Sequence, residues 1–129
     1  MFRHASTTRS RLKPGRDTLP TIADLARFRD RLSLPLIAAP MFLVSGVELV
    51  VAACRNGVIG SFPTVNCRSP EQLDEWLTDI DIRLKAHSDA NGQPSAPVCA
   101  NLIVHRSNAR LEQDLQVLLR HRPEMVITS

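Results

Sequence analysis

The segment LPLIAAPM, residues 34–41, decides the predicted fold of this chain. It is apolar without the alternation of a half-exposed strand, so it predicts a strand that is buried on both faces. Pro40 should mark the end of that strand, because proline cannot continue a sheet ladder. Strands buried on both faces are typical of parallel sheets, so the flanking sequence should supply more strands and the helices that cover them.

Three more short apolar runs follow, and each predicts a buried strand. They are residues 58–62, 98–104 and 125–128. A loop is predicted at residues 88–97 (SDANGQPSAP), because small, polar and turn-forming residues are concentrated there.

Helix-start signals lie between these strands. Ser45 followed by Glu48 reads as a capping box, and Ser69 followed by Pro70 is a strong serine-proline start. A third helix is predicted to open at Asn108. The order strand, helix, strand, helix, strand, helix, strand indicates right-handed βαβ units and a parallel sheet.

The chain upstream of this pattern differs in charge. Residues 1–31 carry eight basic and three acidic residues, a net +5, whereas residues 32–129 carry eight basic and ten acidic residues, a net −2. We predict a disordered basic arm over residues 1–17, with an organelle transit peptide as the alternative. A short helix should follow, capped by Thr21 with Asp24 in the reciprocal position.

Composition argues against several classes of function. The chain has four phenylalanines, one tryptophan and no tyrosine, which is poor material for stacking nucleic-acid bases. No apolar run approaches the roughly 20 residues of a membrane-spanning helix. The three cysteines, Cys54, Cys67 and Cys99, are far apart and match no metal-site spacing, so no metal is predicted. Free cysteines of this kind favour a reducing, cytoplasmic location.

Two architectures use this alternation, a doubly wound open sheet and a (β/α)₈ barrel. A complete barrel takes about 250 residues, and this chain of 129 residues stops on its fourth predicted strand. We predict that residues 18–129 form the N-terminal half of a (β/α)₈ barrel, with four parallel strands and three intervening helices, truncated after the fourth strand. A complete small domain of flavodoxin-like order is the alternative.

Ligands of parallel α/β folds bind at the carboxyl ends of the strands, and three features fall there. Residues 38–41 combine small residues, which allow a flat ligand to approach, with the soft side chain of Met41. Asn101 is an amide inside an apolar strand, so it either bonds an internal partner or faces a ligand. His105 directly follows the same strand and is a candidate substrate contact.

Three motifs together resemble the nitronate monooxygenases, formerly called 2-nitropropane dioxygenases. They are residues 34–41 (LPLIAAPM), 57–63 (GVIGSFP) and 101–105 (NLIVH), in matching order and spacing. The resemblance implies an FMN-dependent barrel enzyme that oxidises anionic alkyl nitronates with molecular oxygen to a carbonyl compound and nitrite. It further implies that Ala39, Pro40 and Met41 line the flavin and that Asn101 hydrogen-bonds it.

The resemblance also locates what these residues do not supply. The family's catalytic histidine belongs to a glycine-rich segment expected beyond Ser129, and His105 does not match it. The expected partners are a small nitronate and oxygen, with self-association through unpaired strand edges. Two other functions remain open: an FMN-dependent enoyl reductase-like barrel, and an inactive remnant or half barrel that pairs with another chain.

Overall fold

The computed structural model describes residues 21–129. The predicted basic arm, residues 1–17, therefore lies outside the described residues, as do the first three residues of the predicted barrel domain. The elements are α1 (Ile22–Arg29), β1 (Ile37–Ala38), α2 (Val47–Arg55), β2 (Ile59–Pro63), a short 3₁₀ helix (Thr64–Asn66), α3 (Pro70–Asn91), β3 (Val98–Leu102), α4 (Leu111–His121) and β4 (Met125–Thr128).

The four strands form one parallel sheet in the order β1-β2-β3-β4. Each strand pairs with the next strand along the chain, and α2, α3 and α4 make the three crossovers. Sequential parallel neighbours distinguish a barrel wall from a doubly wound sheet, in which the strand order reverses at a switch point. The chain has the architecture of a partial (β/α)₈ barrel, as the sequence predicted.

The hydrophobic core lies between the sheet and these three helices. Phe62 of β2 is fully buried and its ring centroid lies 5.8 Å from that of Trp76 on α3. Gly60 lets α2 approach β2 closely, because a Cβ there would lie 2.5 Å from the carbonyl oxygen of Val50. The face of α3 that packs into this core carries Leu73, Leu77, Ile80 and Leu84, all of them buried.

The opposite face of the sheet carries the side chains that alternate with this core set. The register pairs Ser61 with Cys99 and Pro63 with Asn101. Because successive strand residues point to opposite faces, these four side chains face away from the helices that contact Phe62. This face corresponds to the interior of a barrel, and Asn101 stands near its carboxyl-terminal edge.

The first strand departs from its prediction. Only Ile37–Ala38 is strand, and Leu36 and Ile37 are 54% and 40% exposed, so burial on both faces was wrong for this segment. Within residues 21–129 β1 pairs with β2 alone. The described elements do not fully cover the faces of this segment, so the side chains of Leu36 and Ile37 remain in contact with solvent.

The start of α2 also departs from its prediction. The N-cap is Gly46, without a side-chain cap, and the Ser45–Glu48 capping box does not form. Ser45 is buried and its hydroxyl serves the preceding loop instead. Glu48 forms a two-pronged ion pair with Arg83 of α3, at 2.6 and 2.7 Å. After the helix, Gly57 adopts a left-handed conformation, with φ of 73°.

Two further boundaries differ from the sequence prediction. Residues 88–91, predicted as loop, are the last turn of α3, where the Ser88 hydroxyl donates to the carbonyl of Leu84. That helix ends at Gly92 in a left-handed conformation, so the glycine and not the polar composition sets the boundary. The predicted start at Asn108 precedes α4 by three residues, since Asn108 instead orders the entering turn by accepting the amide of Arg110.

Candidate functional site

The predicted site residues all lie at or beyond the carboxyl-terminal ends of their strands. Residues 39–41 follow β1, Asn101 is the next-to-last residue of β3, and His105 lies in the loop beyond it. Strand β2 separates the two groups, because Pro63 is the register partner of Asn101. The structure thus brings the predicted residues to one edge of the sheet.

Hydroxyl groups from neighbouring elements hold the segment after β1. The Ser45 hydroxyl accepts the Met41 amide at 2.9 Å and donates to the Ala39 carbonyl at 3.1 Å. The buried Ser61 hydroxyl of β2 donates to the Ala38 carbonyl. These bonds fix the backbone on both sides of Pro40, while the Met41 side chain remains 41% exposed. An accessible thioether on a fixed backbone suits contact with a flat ring.

Sequence reasoning missed Asn66, which closes the same loop from the other side. Its amide nitrogen donates to the carbonyls of Met41 at 3.0 Å and Ser45 at 2.9 Å, and its oxygen accepts the Leu43 amide at 3.0 Å. Leu43 has a φ of 60°, a left-handed conformation that is uncommon for leucine. The sequence carried no signal for this role, because nothing in it connects Asn66 to residues 41–45.

Asn101 keeps an unused donor. Its side-chain oxygen accepts the hydroxyl of Ser129 at 3.1 Å, and within residues 21–129 its amide nitrogen has no hydrogen-bond partner. The residue is half-buried on the face opposite the helices. The sequence left open whether the Asn101 amide bonds an internal partner or faces a ligand. Ser129 is an internal partner, but only for the side-chain oxygen. The amide hydrogens remain available to an acceptor on a ligand.

His105 is exposed and is organised by its own loop. Its Nδ1 accepts the amide of Ser107 at 3.2 Å and lies 2.8 Å from the hydroxyl of that serine. With Nδ1 accepting a backbone N–H, the neutral ring carries its proton on Nε2. Among the described residues no hydrogen bond joins His105 to Asn101. Its role as a substrate contact stays a prediction.

The described part of the chain offers neither a metal cluster nor an activated thiol. It holds no group of three His, Cys, Asp or Glu residues placed to bind a metal ion. All three cysteines are free and buried. Burial raises the pKa of the Cys54 thiol to about 11 and that of Cys67 to about 12, which leaves both protonated and unreactive at neutral pH. None of the described helices is long and apolar enough to cross a membrane.

A buried ion pair stands behind the loop that carries Asn66. Asp114 of α4 is fully buried and accepts from Arg110 at 2.7 Å. Arg110 also donates to the Cys67 carbonyl at 2.5 Å, which ties α4 to the end of the 3₁₀ helix. One Asp114 oxygen and Nε of Arg110 are buried without a partner in the described structure. The pair therefore connects α4 to the 3₁₀ helix, and its hydrogen bonds only partly offset the cost of burying its polar atoms.

Comparison with known proteins finds similarity in fold only. No family model matches the chain, and no curated protein matches it significantly. Solved structures do match. FabK from Thermotoga maritima superposes with a TM-score of 0.62 at 14% identity, over 86% of this chain and 30% of the FabK chain. A FabK mutant from the same organism gives 0.62 at 13% identity, over 87% of this chain and 33% of the other.

The chain therefore spans about a third of the length of the FabK structures that it matches. At this level of identity the likeness concerns the fold, and it agrees with the strand order seen here. It supports the predicted half barrel over the flavodoxin-like alternative.

Proposed function

We propose that this chain forms the first part of an FMN-dependent barrel oxidoreductase of the nitronate monooxygenase kind, acting on anionic alkyl nitronates and molecular oxygen. The observation that carries the proposal is the unused amide donor of Asn101. It stands at the strand edge where barrel enzymes bind their ligands, on the face away from the helices. The three sequence motifs that resemble this family end at that same edge.

The residues present fit the ring system of FMN. The Asn101 amide can donate to a polar atom on the ring edge, and Met41 offers an exposed apolar surface beside the fixed backbone of Ala39 and Pro40. FMN, when bound, supplies a ring that accepts electrons from an electron-rich substrate and passes them to oxygen. The phosphate site of such barrels is expected from later strands, so we assign no phosphate contact to this chain.

Flavin titration of the full chain tests the proposal. The fluorescence of FMN and that of lumiflavin, which has the ring but no phosphate, should both be quenched on binding. The two affinities should be weak and similar. Asn101→Ala should weaken both about fivefold, which corresponds to the loss of one hydrogen bond worth about 1 kcal/mol. Asn91→Ala is the matched control, since Asn91 ends α3 at the opposite edge of the sheet. Equal affinity in the Asn101 variant would reject the role assigned to this residue.

A second candidate function is an FMN-dependent enoyl reductase, with which the fold likeness to the FabK structures is also compatible. The two candidates differ in their electron donor, because an enoyl reductase needs a nicotinamide cofactor and a nitronate monooxygenase does not. In a polypeptide that carries the complete barrel, nitrite release from an alkyl nitronate under oxygen supports the first. Oxidation of a reduced nicotinamide that depends on an enoyl thioester supports the second.

A further inference from the structure

The loop between β1 and α2 presents apolar side chains to solvent at the candidate site. Four consecutive residues share this exposure: Met41, Phe42, Leu43 and Val44, at 41, 65, 79 and 64%. Exposed apolar side chains in a continuous run are unusual on a soluble protein and commonly mark a contact surface. The run begins three residues after β1, the strand whose end is expected to meet the flavin.

The backbone of this loop is strained and is held from outside. Leu43 adopts a φ of 60°, which costs free energy for a residue with a Cβ and persists only where the surroundings impose it. Asn66 imposes it with three hydrogen bonds: one accepted from Leu43, and one donated to each of the flanking carbonyls of Met41 and Ser45. The amide thus bridges the two ends of the strained turn and its centre.

Asn66 is itself fixed by the elements behind it. It is the last residue of the 3₁₀ helix, and the next residue, Cys67, donates its amide to Thr64 at 3.0 Å. The Cys67 carbonyl accepts from Arg110, which is paired with the buried Asp114 of α4. A rigid support of this kind allows one side chain to select one conformation of an exposed loop.

We infer that Asn66 is a positioning residue: its side-chain amide holds the loop of residues 41–45 in the left-handed conformation that preforms an apolar surface for the flavin ring. The identity of the ligand rests on the proposed function above. The hold on the loop does not, because it follows from the three hydrogen bonds and the positive φ alone. Preforming the surface removes the ordering cost that a mobile loop would add to ligand binding.

Amide hydrogen exchange and lumiflavin titration of the full chain test the inference together. In Asn66→Ala the Leu43 amide should exchange about tenfold faster, while the Ala100 amide in β3 keeps its protection. Lumiflavin affinity should fall about fivefold to tenfold. Asn56→Ala is the matched control, because that exposed side chain donates only to the Ala52 carbonyl within its own helix end. It should leave both measurements unchanged.

A second substitution separates positioning from a general loss of stability. Leu43→Gly supplies a second background, since glycine adopts positive φ without strain, although it also removes one side chain of the apolar surface. Compared with Leu43→Gly alone, Leu43→Gly with Asn66→Ala should lose much less lumiflavin affinity than Asn66→Ala loses in the unmodified chain. If Asn66 merely stabilised the fold, Asn66→Ala would cost the same lumiflavin affinity in both backgrounds.

The outcomes separate this inference from the proposed function. Unchanged exchange of the Leu43 amide in Asn66→Ala overturns the inference, whatever the flavin result. Lumiflavin binding that survives Asn66→Ala unchanged overturns the link between loop and ligand, and the proposed function stands. If the unmodified chain does not bind lumiflavin, that result counts against the proposed function. The exchange rate of the Leu43 amide in Asn66→Ala then shows whether Asn66 holds the loop.

Discussion

Removal of Asp114 should destabilise this chain far more than removal of an exposed aspartate at the same helical spacing. The Asp114 carboxylate is fully buried and lies 2.7 Å from Nη2 of Arg110, whose side chain is 25% exposed. Asp114→Ala leaves the guanidinium partly buried without its counter-charge. Breaking a buried pair in this way costs about 3–5 kcal/mol, and the partial exposure of Arg110 places the expected value near 3 kcal/mol.

The matched control is Asp79→Ala on α3. Asp79 lies 3.6 Å from Arg83, also four residues apart, but its side chain is 54% exposed. An exposed pair of this kind is worth about 0.3–0.5 kcal/mol, because solvent screens the charges. Urea denaturation followed by circular dichroism measures both. With a denaturant slope of about 2 kcal/mol/M, the midpoint should fall by about 1.5 M for Asp114→Ala and by about 0.2 M for the control.

The double replacement Arg110→Met with Asp114→Leu sharpens this test. One Asp114 oxygen and Nε of Arg110 lack partners in the described structure, so the desolvation cost of the pair is incompletely offset. Apolar replacements of similar volume should therefore return the midpoint close to that of the unmodified chain. A shift below about 0.3 M for Asp114→Ala alone, or equal shifts for Asp114→Ala and Asp79→Ala, would refute the reasoning.

Four further outcomes are expected. Gly60→Ala should lower the thermal midpoint, at a cost of about 1–3 kcal/mol, because its Cβ would meet the Val50 carbonyl at 2.5 Å and backbone cannot move aside cheaply. The Asp24 carboxylate accepts hydrogen bonds from the Thr21 hydroxyl and amide, and NMR titration should give it a pKa of about 2. Its contribution to stability should be complete above pH 3.8 and should be lost as the pH falls through 2. Thr21→Ala should raise that pKa. The three buried thiols should react with a disulfide reagent at pH 8 only after denaturant is added, so rapid labelling of the folded chain would contradict their burial. The chain alone should self-associate through the outer edges of β1 and β4, elute above 14.3 kDa and release no nitrite; a monomer producing nitrite steadily would contradict this.

Much of the fold was predictable because its signals are local. The start of α3 was read from Ser69 and Pro70, and the structure shows the serine accepting the Gln72 amide as a cap. The capping box of Thr21 and Asp24 is likewise confirmed. Yet α1 contributes no buried residue, so the capping box predicted a helix correctly without predicting what that helix would pack against.

The predictions that were wrong concern residues whose contacts are made with segments distant in the sequence. Ser45 and Glu48 have capping-box spacing, but the serine bonds the loop before it and the glutamate pairs with Arg83, 35 residues away. Burial of β1 was inferred from its apolar composition. Burial depends on which elements lie against a strand, and sequence composition does not record this.

The candidate site divides in the same way. The sequence selected Asn101 because an amide in an apolar strand needs an explanation, and the motifs with Ala39, Pro40 and Met41 indicated the same edge. The role of Asn66 could not be predicted from the sequence, because its three hydrogen-bond partners are backbone groups of residues 21 to 25 positions upstream. Every residue has such backbone groups, so the residue types at those positions do not indicate the contact.

The sequence by itself determined the alternation of strands and helices and therefore the parallel sheet, because hydrophobic period, caps and breakers act over a few residues. Only the tertiary structure decided which polar groups are left free at the carboxyl-terminal edge and which are used to hold loops. A hydrogen bond between distant segments depends on the distance and angle between them, and the assembled sheet fixes both. The unused amide of Asn101 and the fully used amide of Asn66 are the same side chain in sequence, and only their surroundings assign them different roles.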